Sequence, residues 1–282
     1  MNDKYLSWEE AVSWLVGQPD KQELVRDCYF DSSPEAAAER YSQSDEWKAI
    51  RVLLPSAPSR ALDVGAGRGI ASYALAKAGW SVVAIEPDPS DFVGRGAIQK
   101  IAQSKGLPIE VVEEFGERIL RDSDSFDLVV ARQVLHHARD LPALCAEVFR
   151  VLKPGGTFIA VRDHVISSPE DLPTFLQIHP LHQLYGGENA LQSGQYLDAI
   201  QMAGFRVEQM LRSFDSVINY APHTRETLRG EFKRRLSRFP LGGLAGSCLN
   251  VNPIMDMSLA LLSRIDRRPG RLYSFICTKP QQ

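Results

Sequence analysis

The amino-acid sequence predicts an α/β fold with a seven-stranded, mostly parallel sheet and an antiparallel last strand. Two observations support this prediction. Apolar strand-like segments alternate with helix-like segments between residues 60 and 165. The first strand-like segment, 61–64, breaks at Gly65 into a glycine-rich turn followed by a helix. Because this order is that of a nucleotide-binding βαβ unit, we expect a Rossmann-like sheet with its ligand beyond the carboxyl ends of the strands.

Helices are expected before the sheet, in residues 1–55. The segment that begins at Ser7 has the pattern of a capping box, and apolar residues follow it at helical spacing. Ser33 followed by Pro34 suits a second helix start, as a cap and a first-turn residue. A third helix is predicted to begin at Asp45.

The predicted core of the sheet spans residues 56–211 and 270–282. A helix from Ile70 ends at Gly79, and the next buried strand, 81–85, ends at Glu86. Further strands are predicted at 125–130, at the end of the segment 151–160, at 205–210 and at 271–278, with a helix at 196–204. The last two strands are expected to pair antiparallel at the edge of the sheet.

The spacing of the glycines restricts the nucleotide. Gly65 and Gly67 have no Cβ, so a ligand can lie directly against the main chain of the turn. A dinucleotide fingerprint requires a glycine where Ile70 stands, whereas the third glycine here comes one residue early, at Gly69. Asp63 lies two residues before the first glycine. The turn therefore disfavours a dinucleotide.

The pattern D-x-G-x-G-x-G resembles motif I of the class I S-adenosylmethionine-dependent methyltransferases. The resemblance covers residues 40–165, because the segments 125–130, 133–137 and 151–160 are similar to later motifs of the family in the same order. It implies a methyltransferase of the small-molecule type with S-adenosylmethionine as its cofactor. This cofactor carries an ammonium and a sulfonium group and no phosphate, which suits nearby carboxylates.

The resemblance also implies which residues bind the cofactor. Glu86 is expected to accept hydrogen bonds from both ribose hydroxyls, as an acidic residue at a strand end does in nucleotide-binding folds. The adenine contact stays open between Glu114, the Phe115 amide and Glu117, because the family's usual Asp-Ala pair is absent. The implied cofactor-binding residues are Asp63, Gly65, Ala66, Gly67, Glu86, Pro87, Glu114, Phe115, Arg132 and Gln133.

The predicted helices of 1–55 resemble the preliminary helices that cover the cofactor in related methyltransferases. On that interpretation, Tyr41 or Trp47 shields the sulfonium. The alternative is that both aromatic side chains simply pack between a helix and the sheet.

Three histidines are candidates for catalysis. His136 and His137 follow the predicted fourth strand and His164 follows the fifth, so all three are expected at the ligand edge of the sheet. Methyl transfer requires mainly alignment of the acceptor with the methyl group, and a histidine can take a proton from the acceptor. The alternative is that they only line the pocket. Asp163 could orient an imidazole, although neighbours on a strand point to opposite faces.

No metal site is predicted from the sequence. His179 and His182 have the spacing of some metal-binding pairs, but no third ligand is visible, and we interpret them as part of a pocket-lining loop that continues to Asn189. The four cysteines are far apart and form no C-x-x-C pair, which indicates reduced thiols.

Composition and charge restrict the partners. A formal net charge of −3 provides no general attraction to nucleic acid or to an anionic membrane. The basic segment 225–238 is more typical of a solvated helix face than of a nucleic-acid site. No signal peptide and no apolar run of ~18 residues is present, so we expect a cytoplasmic protein without a membrane partner.

Two segments are longer than ordinary connections. Residues 165–194 are predicted to form a lid loop over the acceptor pocket. Residues 212–269 are predicted to form a helical insertion that acts as a cap or as the contact of a homodimer.

These observations favour an enzyme that moves a methyl group to oxygen or nitrogen of a small-molecule acceptor by in-line displacement. One alternative is a non-catalytic S-adenosylmethionine-binding or regulatory protein. An NAD(P)-dependent oxidoreductase is less favoured because Ile70 replaces the third glycine of the dinucleotide fingerprint.

Overall fold

The computed structural model describes residues 5–239 and 246–281. In this part of the chain, eight strands form one sheet. Their bounds are β1 Arg60–Val64, β2 Ser81–Ile85, β3 Ile109–Val112, β4 Phe126–Arg132, β5 Leu152–Ile166, β6 Leu191–Gln192, β7 Arg206–Leu211 and β8 Arg271–Thr278. The strand order is β3-β2-β1-β4-β5-β8-β7, and β6 pairs with β5 outside this series.

The parallel part of the sheet brings its strand ends together. Val64 at the end of β1 lies beside Ile85 of β2 and Ala131 of β4. β8 runs antiparallel to both β5 and β7, as predicted for the last strand. The prediction of seven strands is wrong by one, because the two-residue strand β6 extends the sheet beside the far end of β5. Two residues between polar and helical segments have no alternation from which to predict a strand.

Helices cover both faces of the sheet. Their bounds are α1 Trp8–Val16, α2 Gln22–Asp27, α3 Pro34–Gln43, α4 Asp45–Leu53, α5 Ile70–Lys77, α6 Arg95–Lys105, α7 Leu141–Val151, α8 Leu172–Ile178, α9 His182–Tyr185, α10 Ser193–Met202, α11 Val217–Tyr220, α12 Arg225–Leu236 and α13 Asn252–Ile265. One apolar core joins the sheet to α7 and α10, and a second joins it to α3, α4 and α5. A sheet buried on both faces explains why its strands read as continuous apolar runs.

The helices before the sheet begin at the predicted caps. The Ser7 side chain caps α1 in a capping box, and Ser33 caps α3 with Pro34 in the first turn. Tyr41 and Trp47 are buried in the core between these helices and the sheet. The packing alternative for these two aromatics is therefore correct.

Residues 165–194 form more than a lid loop, which corrects the prediction. They contain α8, α9 and β6, and Phe175 of α8 packs with Ile166 and Ala190 in a small apolar cluster. Pro173 in the first turn of α8 hides the helical pattern in the sequence, because proline disfavours a helix everywhere except in its first turn. Gly186, with φ of 72°, ends α9.

The insertion 212–269 has its own apolar cluster and is attached to the sheet. Leu228, Met255 and Leu259 form the centre of that cluster, between α12 and α13. The Arg162 guanidinium on β5 donates to the Ile218 carbonyl at 2.7 Å, which holds α11 against the sheet. No helix in residues 5–239 or 246–281 has the length and apolar composition of a membrane span.

Candidate active site

A cavity of about 510 Å³ lies beyond the carboxyl ends of the parallel strands. Every residue predicted for cofactor binding or catalysis lines it, namely Asp63, Gly65, Ala66, Gly67, Glu86, Pro87, Glu114, Phe115, Arg132, Gln133, His136, His137 and His164. Its volume is in the range of small-molecule sites. No residue in the described part of the insertion, 212–239 and 246–269, lines this cavity.

The glycine turn forms one wall of the cavity. Gly65 and Gly67 have φ values of 60° and 52°, which side-chain-bearing residues rarely adopt. A Cβ on Gly65 would lie 2.9 Å from a methyl group of Val134. The Glu86 carboxylate accepts the Gly67 amide at 2.7 Å and the Asp88 amide at 2.9 Å. The turn is therefore joined to the end of β2.

Asp63 and Glu86 place two buried carboxyl groups at this wall. Burial raises the pKa of Asp63 to about 7, a hydrogen bond from the Ser72 hydroxyl at 2.5 Å opposes the rise, and the charge of Glu86 adds to it. Burial also raises the pKa of Glu86. Neither carboxylate forms an ion pair with any described residue. Such a pair fits a cationic ligand and repels a pyrophosphate.

The candidates for the adenine contact remain three. Glu114 accepts the Leu120 amide at 3.0 Å and Glu117 accepts the Arg139 amide at 2.9 Å, so each carboxylate keeps one oxygen free of these bonds. The Phe115 side chain is half exposed at the cavity. An exposed ring there is suited to stacking on a purine.

Arg132 is held in place by the carboxylate of Glu46. Its guanidinium pairs with Glu46 of α4 at 2.7 Å and donates to the Gln133 side chain at 2.8 Å. Glu46 is buried and the Arg132 side chain is 12% exposed, and the charge of Arg132 lowers the pKa of Glu46 against the effect of burial. Arg132 therefore attaches α4 to the cavity wall.

Aromatic residues of the N-terminal segment cover the cavity. Trp8, Tyr29 and Phe30 line it. The guanidinium of Arg68, in the glycine turn, donates to the carbonyls of Tyr29 and Asp31 at 2.8 Å each. Sequence analysis missed Arg68, although its place between Gly67 and Gly69 was a usable signal.

The three predicted histidines are each held through Nδ1. His136 Nδ1 lies 2.9 Å from an Asp163 oxygen, His137 Nδ1 lies 3.1 Å from the Gly187 carbonyl, and His164 Nδ1 lies 2.8 Å from the Gly270 carbonyl. The carbonyl oxygens can only accept, so the imidazoles of His137 and His164 donate from Nδ1. Nε2 of these two rings is then the nitrogen with a free lone pair.

Glu188 lies among these histidines. One of its oxygens is 3.7 Å from His136 Nε2 and 3.9 Å from His137 Nε2, and the other accepts the Tyr185 hydroxyl at 2.5 Å. His179 Nδ1 is 3.9 Å from this second oxygen. Tyr185 and Glu188 line the cavity, in agreement with the prediction of a pocket-lining loop. The role of Glu188 inside a histidine cluster was not predicted.

The protonation of the three histidines differs. Burial opposes a charge on His136, but the carboxylates of Asp163 and Glu188 together raise its pKa to about 9. Burial and the charge of His136 lower the pKa of His137 to about 4 and that of His164 to about 3. The two carboxylates thus favour a proton on His136, whereas His137 and His164 favour the neutral form.

A bulge in β5 explains how neighbouring residues serve the same cluster. The pairing of β5 with β8 shifts register between Ala160 and Asp163, and Arg162 has φ of 65°. This interruption breaks the alternation of side chains along the strand. Asp163 consequently holds His136, not its neighbour His164, whose ring lies 4.8 Å from the His136 ring.

The fold has the topology of nucleotide-binding α/β proteins, its Gly67 amide is occupied by Glu86, and its two buried carboxyl groups suit a cationic ligand. Residues 62–160 match the family model described as a methyltransferase domain. This match agrees with the resemblance to class I S-adenosylmethionine-dependent methyltransferases, and the matched residues form the parallel part of the sheet.

Two relatives of the matched region are also named as methyltransferases. A ubiquinone biosynthesis O-methyltransferase of Methylobacterium nodulans is 32% identical over 107 residues, 38% of this chain and 42% of that protein. An uncharacterised methyltransferase of Mycobacterium tuberculosis is 38% identical over 124 residues, 43% of this chain and 46% of that protein. The chain thus spans less than half the length of these curated relatives.

Among solved structures, the geranyl diphosphate C-methyltransferase of Streptomyces coelicolor, determined with S-adenosyl-L-homocysteine, has a TM-score of 0.58 and 13% identity. That likeness covers 82% of this chain and 74% of the other. At this identity it shows a shared fold.

Proposed function

We propose that this protein transfers a methyl group from S-adenosylmethionine to a small-molecule acceptor. A single observation carries the proposal: one cavity joins the glycine turn and its two buried carboxylates to the histidine cluster. The cofactor end and the acceptor end are therefore continuous. When bound, the cofactor supplies a methyl group on a sulfonium, which the acceptor atom takes by in-line displacement.

The cofactor end is assigned to residues of β1, β2 and the turn between β1 and α5. Gly65 and Gly67 let the cofactor lie against the main chain, and Asp63 and Glu86 provide acceptors for its ammonium and ribose groups. Both carboxylates are buried and have no cationic partner among the described residues. A cationic nucleoside would provide the positive charge that Asp63 and Glu86 do not receive from the protein.

The acceptor end is assigned to the cluster beside Glu188. Its wall combines Trp8, Phe30 and Tyr185 with imidazole and carboxylate groups. Such a wall suits a partly apolar molecule that carries a hydroxyl group. The names of the relatives in ubiquinone biosynthesis support the same class, since those proteins are described as O-methyltransferases.

We assign the role of proton acceptor to His137. Its Nδ1 is occupied by the Gly187 carbonyl, and its side chain is 38% exposed, whereas the side chain of His136 is 1% exposed. Nε2 of His137 can thus take the hydroxyl proton as the acceptor oxygen bonds to the methyl carbon. On this assignment, His136 and His164 position the side chains around His137 and do not take the proton themselves.

The test is transfer of a labelled methyl group. Purified protein is incubated with methyl-labelled S-adenosylmethionine and a panel of hydroxylated aromatic compounds, with matched amines as comparison compounds. We expect label in at least one hydroxylated product, identified by mass spectrometry. Cofactor binding by calorimetry without transfer to any compound would favour the non-catalytic alternative.

We also propose that the protein acts in the cytoplasm. We propose further that the insertion 212–269 provides the contact surface for a second copy of this chain. Met257, Leu261 and Ile265 recur every fourth residue on α13 and are 68%, 58% and 59% exposed. Residues four apart lie on one face of a helix. Because the described part of the insertion does not line the cavity, a contact role is favoured over the predicted cap.

A further inference from the structure

His136, His164 and Glu188 come from three separate segments and meet at the acceptor end of the cavity. One potential ligand atom from each lies within 4.8 Å of the other two. In a tetrahedral zinc site with bonds of about 2.1 Å, ligand atoms are about 3.4 Å apart. The gap between His136 Nε2 and Glu188 is already 3.7 Å. Small side-chain rotations would therefore bring the three atoms around one ion.

The two histidines have the surroundings of metal ligands. A ligating histidine almost always donates its other ring N–H to a carboxylate or a backbone carbonyl, which fixes the orientation of the ring. Asp163 takes this place for His136 at 2.9 Å, and the Gly270 carbonyl takes it for His164 at 2.8 Å. Both rings are therefore oriented through Nδ1, and Nε2 is the ligand atom, which on His136 requires that the ion displace the Nε2 proton.

Glu188 has a buried carboxylate oxygen that lacks a hydrogen-bond partner. Its side chain is only 6% exposed, and its Oε2 atom is buried without a hydrogen-bond partner. The nearest imidazole nitrogen named above, at 3.7 Å, is beyond hydrogen-bond distance. A buried carboxylate oxygen without a partner is costly, and a cation between it and the two Nε2 atoms would satisfy it.

We propose that His136, His164 and Glu188 bind a divalent transition-metal ion, with Zn²⁺ as the ion that the ligand set fits. Two imidazoles and one carboxylate form a common set for zinc with an open position. Nitrogen ligands disfavour Mg²⁺ and Ca²⁺, which prefer oxygen. The sequence analysis predicted no metal because it found no third ligand for His179 and His182, and His136, His164 and Glu188 are far apart in sequence.

The position of this site indicates what the ion would do. All three ligands line the cavity, so the open coordination position borders the space assigned to the acceptor. His137 Nε2 lies 3.9 Å from the same Glu188 oxygen, beside the ligands. If the proposed function is correct, on which this step rests, the substrates are acceptors with an oxygen that can bind the ion.

The test measures metal binding without any need for activity. Protein stripped of metal with a chelator is titrated with Co²⁺, followed by visible absorption, and then with Zn²⁺ by calorimetry. We expect one ion per chain, a tetrahedral Co²⁺ spectrum, displacement of Co²⁺ by Zn²⁺, and no displacement by Mg²⁺ at the same concentration.

Variants assign the ligands. His164→Ala and Glu188→Gln should each weaken Zn²⁺ binding by more than about 100-fold, and Asp163→Asn by roughly 10–100-fold, the effect expected for an outer partner. His223→Ala is the matched control, because this exposed histidine of the insertion does not line the cavity. Its Zn²⁺ affinity should equal that of the parent. Thermal unfolding in chelator and binding of S-adenosylhomocysteine verify that each variant is folded.

Absence of stoichiometric binding to the folded parent would overturn the proposal. Unchanged affinity in both His164→Ala and Glu188→Gln would also overturn it, since the ion would then bind elsewhere. The experiments distinguish failure of the metal proposal from failure of the proposed methyl transfer. Loss of the metal proposal leaves cofactor binding and methyl transfer intact, whereas failure of methyl transfer leaves the Co²⁺ spectrum unchanged.

Discussion

The Gly67 amide donates a hydrogen bond to the Glu86 carboxylate at 2.7 Å, although the two residues are 19 positions apart. This bond joins the turn after β1 to the end of β2. In a dinucleotide site, amides of the corresponding turn face a pyrophosphate. Here the amide of Gly67 is already paired with an anion. The remaining lone pairs of Glu86 are left for hydroxyl donors, as a ribose provides.

Loss of either carboxylate should weaken cofactor binding. We expect Asp63→Ala and Glu86→Ala each to cost ~1–3 kcal/mol of binding free energy, because each removes an acceptor from a buried polar contact. Calorimetry with S-adenosylmethionine measures the change. Glu113→Ala is the control, since Glu113 pairs with Arg95 and does not line the cavity. Unchanged affinity in both folded cavity variants would contradict the assignment of the cofactor end.

Asp63 should also make the stability of the cofactor-free protein depend on pH. Its pKa is raised from 3.8 to about 7, so between these values the folded protein binds more protons than the unfolded chain. Stability therefore falls as pH rises through this window. Asp63→Asn removes this effect, at ~1.4 kcal/mol per pKa unit. We expect the variant's advantage in urea unfolding to grow from pH 4 to pH 7 and then level off, with an upper bound of ~4 kcal/mol.

A difference between the variant and the parent that does not change with pH would show that Asp63 is not the group responsible. Ser72→Ala serves as the comparison. It removes the hydroxyl that donates to Asp63 at 2.5 Å, so it should raise the pKa of Asp63 further and extend the window to higher pH.

Arg68→Ala should detach the N-terminal segment from the glycine turn. The guanidinium donates to the carbonyls of Tyr29 and Asp31, and its loss leaves both without this donor. We expect a loss of ~2–3 kcal/mol in the free energy of unfolding, together with faster amide hydrogen exchange at residues 29–31 and weaker cofactor binding. The free energy of unfolding of Arg68→Lys should lie between those of the parent and Arg68→Ala, because an ammonium group lacks the planar set of donors of a guanidinium. Unaltered exchange at residues 29–31 would refute this role.

His137→Ala separates catalysis from binding. If His137 accepts the proton of the acceptor, kcat should fall by roughly 100-fold or more, and the affinity for S-adenosylmethionine should stay the same. His182→Ala is the matched control, because His182 is a histidine of the lid segment 165–194 that does not line the cavity. Equal kcat in His137→Ala and the parent would leave His137 as a lining residue only.

The apolar face of α13 should determine the oligomeric state. We expect the parent to be a dimer and the double variant Met257→Glu with Leu261→Glu to be a monomer, because two charges would be buried without partners at the contact. Light scattering after gel filtration measures the mass. Arg234→Glu on α12 is an exposed control that should remain dimeric. Identical masses for the parent and the double variant would exclude this contact.

The sequence alone was sufficient for the α/β core and for placing Asp63, Glu86 and the glycine turn at one wall of the cavity. Asp63 and Glu86 lie at the ends of neighbouring parallel strands, and such ends meet at one edge of the sheet whatever the rest of the chain does. The glycine turn is a local feature as well, because its backbone angles depend on the absence of a Cβ. These residues could therefore be placed from short stretches of sequence.

Only the tertiary structure decided the acceptor end. Glu188 meets His136 and His164 through the path of the lid, and a bulge at Arg162 turns Asp163 toward His136. Neither the path nor the bulge has a local signature, since both depend on how β5 pairs with β6 and β8. The same holds for the insertion, whose attachment through Arg162 and Ile218 keeps it away from the cavity. Long-range contacts of this kind are fixed by packing, so residue type and spacing cannot reveal them.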